Sequence, residues 1–299
     1  MNKWSIDQVP SQVGTIAIVT GANSGIGYEV TLGLIKKGFE VIMACRNIQK
    51  AEEAKVKILQ QYPTAKINPM RIDTSSLKEV KKFAEQFKSQ YQNLHLLINN
   101  AGIMMSPNKV SEDGFENQFA TNYIGHFALT GLLLPILTNT AGSRIISLSS
   151  LSYKWSEILF DDFHFKKGYS KTKAYGQSKR ACLMFAFELQ RRLSAACYDT
   201  LSIAAHPGLS KTNLDQYYPA LIRPLGNLFL QPAAKGALPI LFASLDKDLK
   251  GGEFIGPDGF QQMRGYPTIV EADEYSNNKE VAKRLWTESE KMTSVFYLS

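Results

Sequence analysis

A short apolar run that ends in a glycine-rich turn limits the folds open to this chain more than any other feature. TIAIVT (15–20) is β-branched and apolar enough for a strand covered on both faces, and GANSGIG follows it without a break. Gly21, Gly25 and Gly27 let the backbone turn tightly and come close to a phosphate. The helix that opens at Gly25 adds free N–H groups and the positive end of its dipole. Strand, glycine turn and helix in that order predict a dinucleotide site, with Asn23, Ser24 and Ile26 completing the loop.

The same alternation continues along the chain. EVIMAC (40–45), KINPMRID (66–73), LHLLINN (94–100), SRIISLSS (143–150), TLSIAA (200–205) and GGEFIG (251–256) read as further strands. Helical patterns separate them: 25–37, 47–62, 75–91, about 113–137 and about 173–196. No linker, repeat or low-complexity tract interrupts the series. The prediction is one α/β domain over residues 1–299, a Rossmann-like doubly wound parallel sheet of about seven strands with helices on both faces. Residues 207–250 break the pattern, being rich in proline and bulky apolar residues without a strand. They predict an excursion over the sheet edge, where a substrate lid would lie.

Composition narrows the function classes. Hydrophobic residues make up 44% and charged residues 20% of the 299, ordinary for a globular protein. No apolar run reaches the length of about 18 residues that a membrane span needs, and MNKWSIDQVPSQVG lacks the apolar segment of a secretory signal. Cys45, Cys182 and Cys197 are too few and too scattered for a disulfide framework, which points to the reducing cytoplasm. His95, His126, His164 and His206 show no metal-ligand spacing, so no metal is expected. The net charge of +7 is compatible with an anionic small molecule. It comes without zinc-finger spacing, RNP-like aromatics or a basic heptad region, so no nucleic acid is expected as a partner.

Two local patterns carry the chemistry. After the second strand the chain reads Ala44-Cys45-Arg46-Asn47, with no acid where an NAD site holds its ribose hydroxyls. Arg46 is placed to pair with a 2′-phosphate, helped by Asn23 and Ser24, so NADP(H) is the preferred cofactor and NAD(H) the alternative. AYGQSKR (174–180) sets Tyr175 and Lys179 four positions apart, on one face of a helix. A free phenol titrates at about 10 and keeps its proton at neutrality, and a cation a few ångströms away draws that value down.

TGANSGIG, NNAG (99–102), Asn122 in ATNYIGHF, Ser150, YGQSK (175–179) and HPG (206–208) occur in order. In this the chain resembles the short-chain dehydrogenases/reductases, over nearly its whole length from about Gly14. VIMACRN, the long Ser-to-Tyr segment and RLWTESEKMTSV are similar to the branch that holds retinol dehydrogenases, WW-domain oxidoreductases and light-dependent protochlorophyllide reductases. The resemblance implies that Tyr175 is the acid for carbonyl reduction, or the base for alcohol oxidation. It implies that Lys179 lowers the phenol pKa and binds the nicotinamide ribose, and that Ser150 polarises the carbonyl. Asn122 would hold a water linking Lys179 to solvent. These types suit the reaction, because charge building on a carbonyl oxygen needs preplaced donors and a proton. Asp73 is implied at the adenine, Asn99, Ala101 and Gly102 beside the adenosine ribose, and Pro207, Gly208 and Thr212 at the carboxamide. A homodimer through the helices after the fourth and fifth strands is open.

One departure stands out. Ser150 and Tyr175 lie 25 positions apart, about twice the usual family spacing, so the residues between must loop out. Ser149 is the adjacent alternative for the serine role. Met104, Met105, Trp155, Leu214, Tyr217, Tyr218, Leu221 and Phe229 fall in segments expected around the nicotinamide. They predict an apolar mouth for a lipophilic carbonyl or alcohol. A non-catalytic NADP-binding sensor or scaffold is the competing reading. The chain keeps all four catalytic positions, which favours the enzyme.

Overall fold

The computed structural model describes residues 3–210 and 230–298. β1 (Ile16–Thr20), α1 (Gly25–Lys36), β2 (Glu40–Cys45), α2 (Ile48–Gln61), β3 (Ile67–Arg71), α3 (Leu77–Gln90) and β4 (Leu96–Asn99) make the first half. A short helix (Asn117–Phe119) and a π-helical turn (Ala120–Ile124) lead into α4 (Gly125–Thr138). There follow β5 (Arg144–Leu148), a 3-10 turn (Leu151–Trp155), α5 (Lys171–Ala195), β6 (Leu201–Ala205) and α6 (Ala233–Leu245). β7 (Phe254–Pro257), β8 (Pro267–Val270) and α7 (Lys279–Thr293) complete the described chain.

The strands form one sheet in the order β3-β2-β1-β4-β5-β6-β7-β8. All neighbours run parallel except β7 and β8. Crossovers lead outward in both directions from the β1–β4 pair, which leaves a crevice beyond the carboxyl ends of those two strands. Both faces of the sheet are covered. Val30 and Leu34 of α1, Ala51 and Ile58 of α2 and Ile240 of α6 pack on one side. Phe83 and Phe87 of α3, Phe127 of α4, Phe185 of α5 and Trp286 of α7 pack on the other.

Three expectations change. The sheet has eight strands where about seven were expected, because β8 adds to β7 in antiparallel register. PTIV is only four residues long and partly exposed, so it lacks the buried apolar run that marked the others. Within 207–250, residues 233–245 form a core helix and no lid: Ile240 and Leu241 are buried, and Gly33 of α1 gives Leu241 room to approach. Proline misled here, since Pro232 caps this helix and Pro239 lies inside it. Residues 211–229 of the same region lie outside the described residues. Third, one helical stretch among the described residues, Asn117–Thr138, is apolar and long enough to cross a membrane, with 78% of its apolar window buried within the fold. Its hydrophobicity serves the core.

The C-terminal helix packs against α4 and α5, the helices through which a homodimer stays open. Trp286 stacks on Phe185 with ring centroids 5.8 Å apart and meets Phe127 edge-on at 5.1 Å. The Tyr297 hydroxyl donates to the Phe127 carbonyl at 3.1 Å, and its ring lies where a side chain at Gly131 would stand. Trp286→Ala should therefore cost about 3–5 kcal/mol of unfolding free energy, read as a lower urea midpoint. A loss under about 1 kcal/mol would mean that α7 is dispensable to the core.

Candidate active site

A cavity of about 600 Å³ opens at the carboxyl ends of the central strands. The glycine turn forms its floor. Gly21 and Gly25 sit at φ +68° and +55°, in the left-handed region that favours glycine. A side chain at Gly27 would strike the Gly21 carbonyl and come within 2.5 Å of the Asn100 amide nitrogen. Ser24, the N-cap of α1, makes no side-chain capping bond. The first amides of the helix are thus left facing the cavity beside Asn23, Ser24, Ile26 and Gly27, which fits the needs of a pyrophosphate.

Around this floor the walls divide into two ends. At one end stand Arg46 and Lys50, with Asn47 between them capping α2 by accepting the Lys50 N–H at 2.9 Å. Asp73 borders the same end, its carboxylate turned to the Ser75 amide at 3.0 Å and hydroxyl at 2.7 Å. At the other end are Ser150, Tyr175, Lys179, Pro207 and Gly208. Ala101 and Gly102 lie between.

The buried phenol and ammonium do not balance as their spacing predicts. The Lys179 ammonium lies 5.9 Å from the Tyr175 ring centroid and donates to the Leu148 carbonyl at 3.0 Å. Both groups are buried. Burial pushes the phenol up to about 12, opposed in part by a hydrogen bond with Ser150. Burial also lowers the Lys179 pKa. The expected fall of the phenol pKa is therefore reversed in the protein alone, because loss of hydration dominates.

The two serines separate. Ser149 is buried and donates to the Lys179 carbonyl at 2.9 Å, a strut between β5 and α5. Ser150 meets Tyr175 and also caps the 3-10 turn, accepting the Ser152 N–H at 3.2 Å. Both line the cavity.

Asn122 lies behind the cavity wall. Its Oδ1 accepts the Ile103 N–H at 2.8 Å, and its Nδ2 donates to the Ile103 carbonyl at 3.0 Å and Ser178 Oγ at 2.9 Å. A side chain at Gly102 would stand 3.1 Å from Asn122 Oδ1 and 3.5 Å from Lys179 Nζ, so that glycine keeps a gap between the two groups. Asn99 departs from its expected place. It is buried with its amide donating to Thr130 Oγ1 on α4 at 3.0 Å, because strand alternation turns it into the sheet interior. Asn100 lines the cavity instead, donating to the Thr20 carbonyl at 2.6 Å.

His206 is packed beside the turn that follows β6. It is buried, accepts the Gly208 N–H at 3.2 Å and pairs with Gln262 at 3.0 Å, and burial takes its pKa down to about 4. Of the apolar residues expected at the mouth, Met104 and Trp155 line the cavity. Met105 does not. Thr212, Leu214, Tyr217, Tyr218, Leu221 and Phe229 lie outside the described residues. Sequence reasoning missed Lys50 and Ser152. Lys50 had a usable signal, since it follows Arg46 by four positions at the start of a helix.

Comparison with known proteins agrees with this arrangement. The family model for short chain dehydrogenase matches residues 15–220. Retinol dehydrogenase 12 of Mus musculus is 36% identical over 284 residues, 94% of this chain and 86% of that protein. The chloroplastic short-chain dehydrogenase TIC 32 B of Brassica napus is 41% identical over 246 residues, 79% of this chain and 77% of its own length. A solved structure of an uncharacterised protein from Mycobacterium paratuberculosis superposes with a TM-score of 0.83 at 35% identity, covering 98% of each chain. With its parallel sheet, glycine turn and Ser-Tyr-Lys cluster, the chain is an oxidoreductase of the short-chain dehydrogenase/reductase family, in the branch of the retinol dehydrogenases.

Proposed function

We propose that the protein is an NADP(H)-dependent oxidoreductase that interconverts a lipophilic carbonyl compound and its alcohol. The observation that carries this reading is the convergence of Ser150, Tyr175 and Lys179 on the cavity floored by the glycine turn. When bound there, the nicotinamide supplies or takes up the hydride. Uncapped amides of α1 hold the pyrophosphate, and Arg46 with Lys50 face the adenosine 2′-phosphate. Asp73 borders the adenine, while Ala101 and Gly102 border its ribose. Lys179 holds the nicotinamide ribose, and Pro207 and Gly208 border the carboxamide. Thr212 is assigned beside them on the family pattern alone.

Each group of the cluster has a separate task. Ser150 donates to the substrate oxygen and holds it beside Tyr175. Tyr175 hands its proton to that oxygen in reduction and removes one in oxidation. Lys179, a buried cation, stabilises the phenolate that remains. Asn122 Oδ1 accepts one of the two bonds it can take, so a water in the gap kept by Gly102 can link it to Lys179 and return a proton. Met104 and Trp155 make the described part of the mouth apolar. Free thiols at Cys45, Cys182 and Cys197 favour a reducing compartment such as the cytoplasm.

Tyr175→Phe keeps the ring and removes the proton. Its NADPH consumption with an aldehyde panel should fall at least about 100-fold while NADPH still binds. Undiminished turnover would reject Tyr175 as the acid.

Arg46→Ala, alone or with Lys50→Ala, should weaken NADPH far more than NADH, by about tenfold for the first change. Titration of NADPH fluorescence reads this directly. Equal losses for both nucleotides would remove these cations from the phosphate role.

The pH profile follows from the raised phenol. With its pKa near 12, Tyr175 stays protonated through neutrality, the form that reduction needs and oxidation lacks. Reductive kcat/KM should be flat between about pH 6 and 9, and oxidative kcat/KM should climb over the same interval. A declining oxidative limb would contradict the assignment.

A further inference from the structure

The long segment between Ser150 and Tyr175 begins with a turn that is held unusually firmly. Ser150 caps it, accepting the Ser152 N–H at 3.2 Å. The buried Arg180 guanidinium donates from Nε to the carbonyls of Tyr153 at 3.1 Å and Ser156 at 2.7 Å. Its Nη1 donates to Asp273 at 2.8 Å and Ser276 at 2.7 Å. Carbonyls on both sides of Trp155 are thus tied to the helix that carries Tyr175. Gly176 supplies the room. A Cβ there would stand 2.8 Å from Trp155 Cβ, 2.9 Å from the Ser152 carbonyl and 3.0 Å from the Ser156 nitrogen. Glycine inside a 25-residue helix weakens it relative to alanine, so close approach of the turn is what this residue serves.

What this scaffold presents is an indole. Trp155 is 45% exposed, while its backbone is fixed on both sides. Its ring centroid lies 6.2 Å from that of Tyr175, with the planes 57° apart, and it lines the same cavity as Tyr175 and Ser150. A flat π system brought toward the phenol meets this ring within the range of favourable offset or edge contacts. A saturated ring of equal carbon count is thicker and offers no quadrupole.

We propose that Trp155 is a specificity-determining wall, taking an aryl or other planar unsaturated group of an apolar carbonyl substrate against its indole. This rests on the reading of the cavity as a carbonyl/alcohol redox site. Trp155 orients and selects; it exchanges no proton.

The test compares benzaldehyde with cyclohexanecarbaldehyde on the NADPH-loaded wild type, Trp155→Ala and Trp155→Phe. Trp155→Ala should lower the benzaldehyde-to-cyclohexanecarbaldehyde ratio of kcat/KM about five- to tenfold, through KM, with kcat within about twofold. Trp155→Phe should keep most of the preference. Tryptophan emission gives a readout independent of turnover. In wild type with NADP, benzaldehyde should quench it, and Trp155→Phe should lose that quenching. A ratio unchanged in Trp155→Ala, no quenching in wild type, or equal quenching in Trp155→Phe overturns the proposal. Quenching specific to Trp155 without turnover of either aldehyde would leave the wall standing and sink the redox reading instead.

Discussion

One hydroxyl at the end of β1 ties the parts of the site together. Thr20 Oγ1 accepts the N–H groups of Asn100 and Ala101, both at 2.9 Å, and lies 2.9 Å from His126 Nε2. His126 Nδ1 must carry a proton, because it faces the Asn122 carbonyl at 2.9 Å and a carbonyl only accepts. Its Nε2 is then the acceptor and Thr20 the donor. Burial takes the imidazole pKa down to about 4, which keeps this tautomer neutral. The hydroxyl's one proton lies between His126 Nε2 and the Ile98 carbonyl at 3.3 Å, and its two lone pairs take the two amides. Through it the glycine turn after β1, the loop after β4 and the π-helical turn before α4 hold one geometry.

That turn explains why Asn122 can be so heavily used. A π-helical turn inserts an extra residue and shifts the backbone pairing, so Gly125 N–H bonds the Ala120 carbonyl. The Asn122 carbonyl then accepts from His126 and from the Cys182 thiol at 3.1 Å. Its side chain is free to bind Ile103 and Ser178. Gly125 has a separate duty: a side chain there would strike the Thr74 carbonyl, next to Asp73. Two ends of the cavity are therefore braced against one helix start.

The fold was legible wherever one local rule decided the outcome. Buried apolar strands and helical periodicity located β1 to β7, and the glycine turn located the nucleotide floor, because each is written in consecutive residues. β8 was not legible, since four half-exposed residues carry no period strong enough to stand out. Asn99 and Asn100 show the limit at the level of a single residue. Adjacent asparagines look alike in sequence, and only the strand's alternation sends one to Thr130 and the other to the cavity. The phenol's pKa failed for a different reason. Spacing gives the distance to a cation, whereas burial depends on every element packed around it.

The balance at Tyr175 and Lys179 has a consequence for the order in which groups act. In the protein alone burial opposes ionisation of both, raising one pKa and lowering the other. Burial must be overcome before the two can pair as ions, so a neutral phenol beside an ammonium that donates to the Leu148 carbonyl is the resting state. A substrate oxygen that gains negative charge changes this balance. It offers the phenolic proton a stronger base inside the same low-dielectric space, and leaves the phenolate facing the ammonium. The cation then contributes most as charge develops and least beforehand. Binding strength is thereby directed toward the transition state, and this follows from placing both groups deep and several ångströms apart.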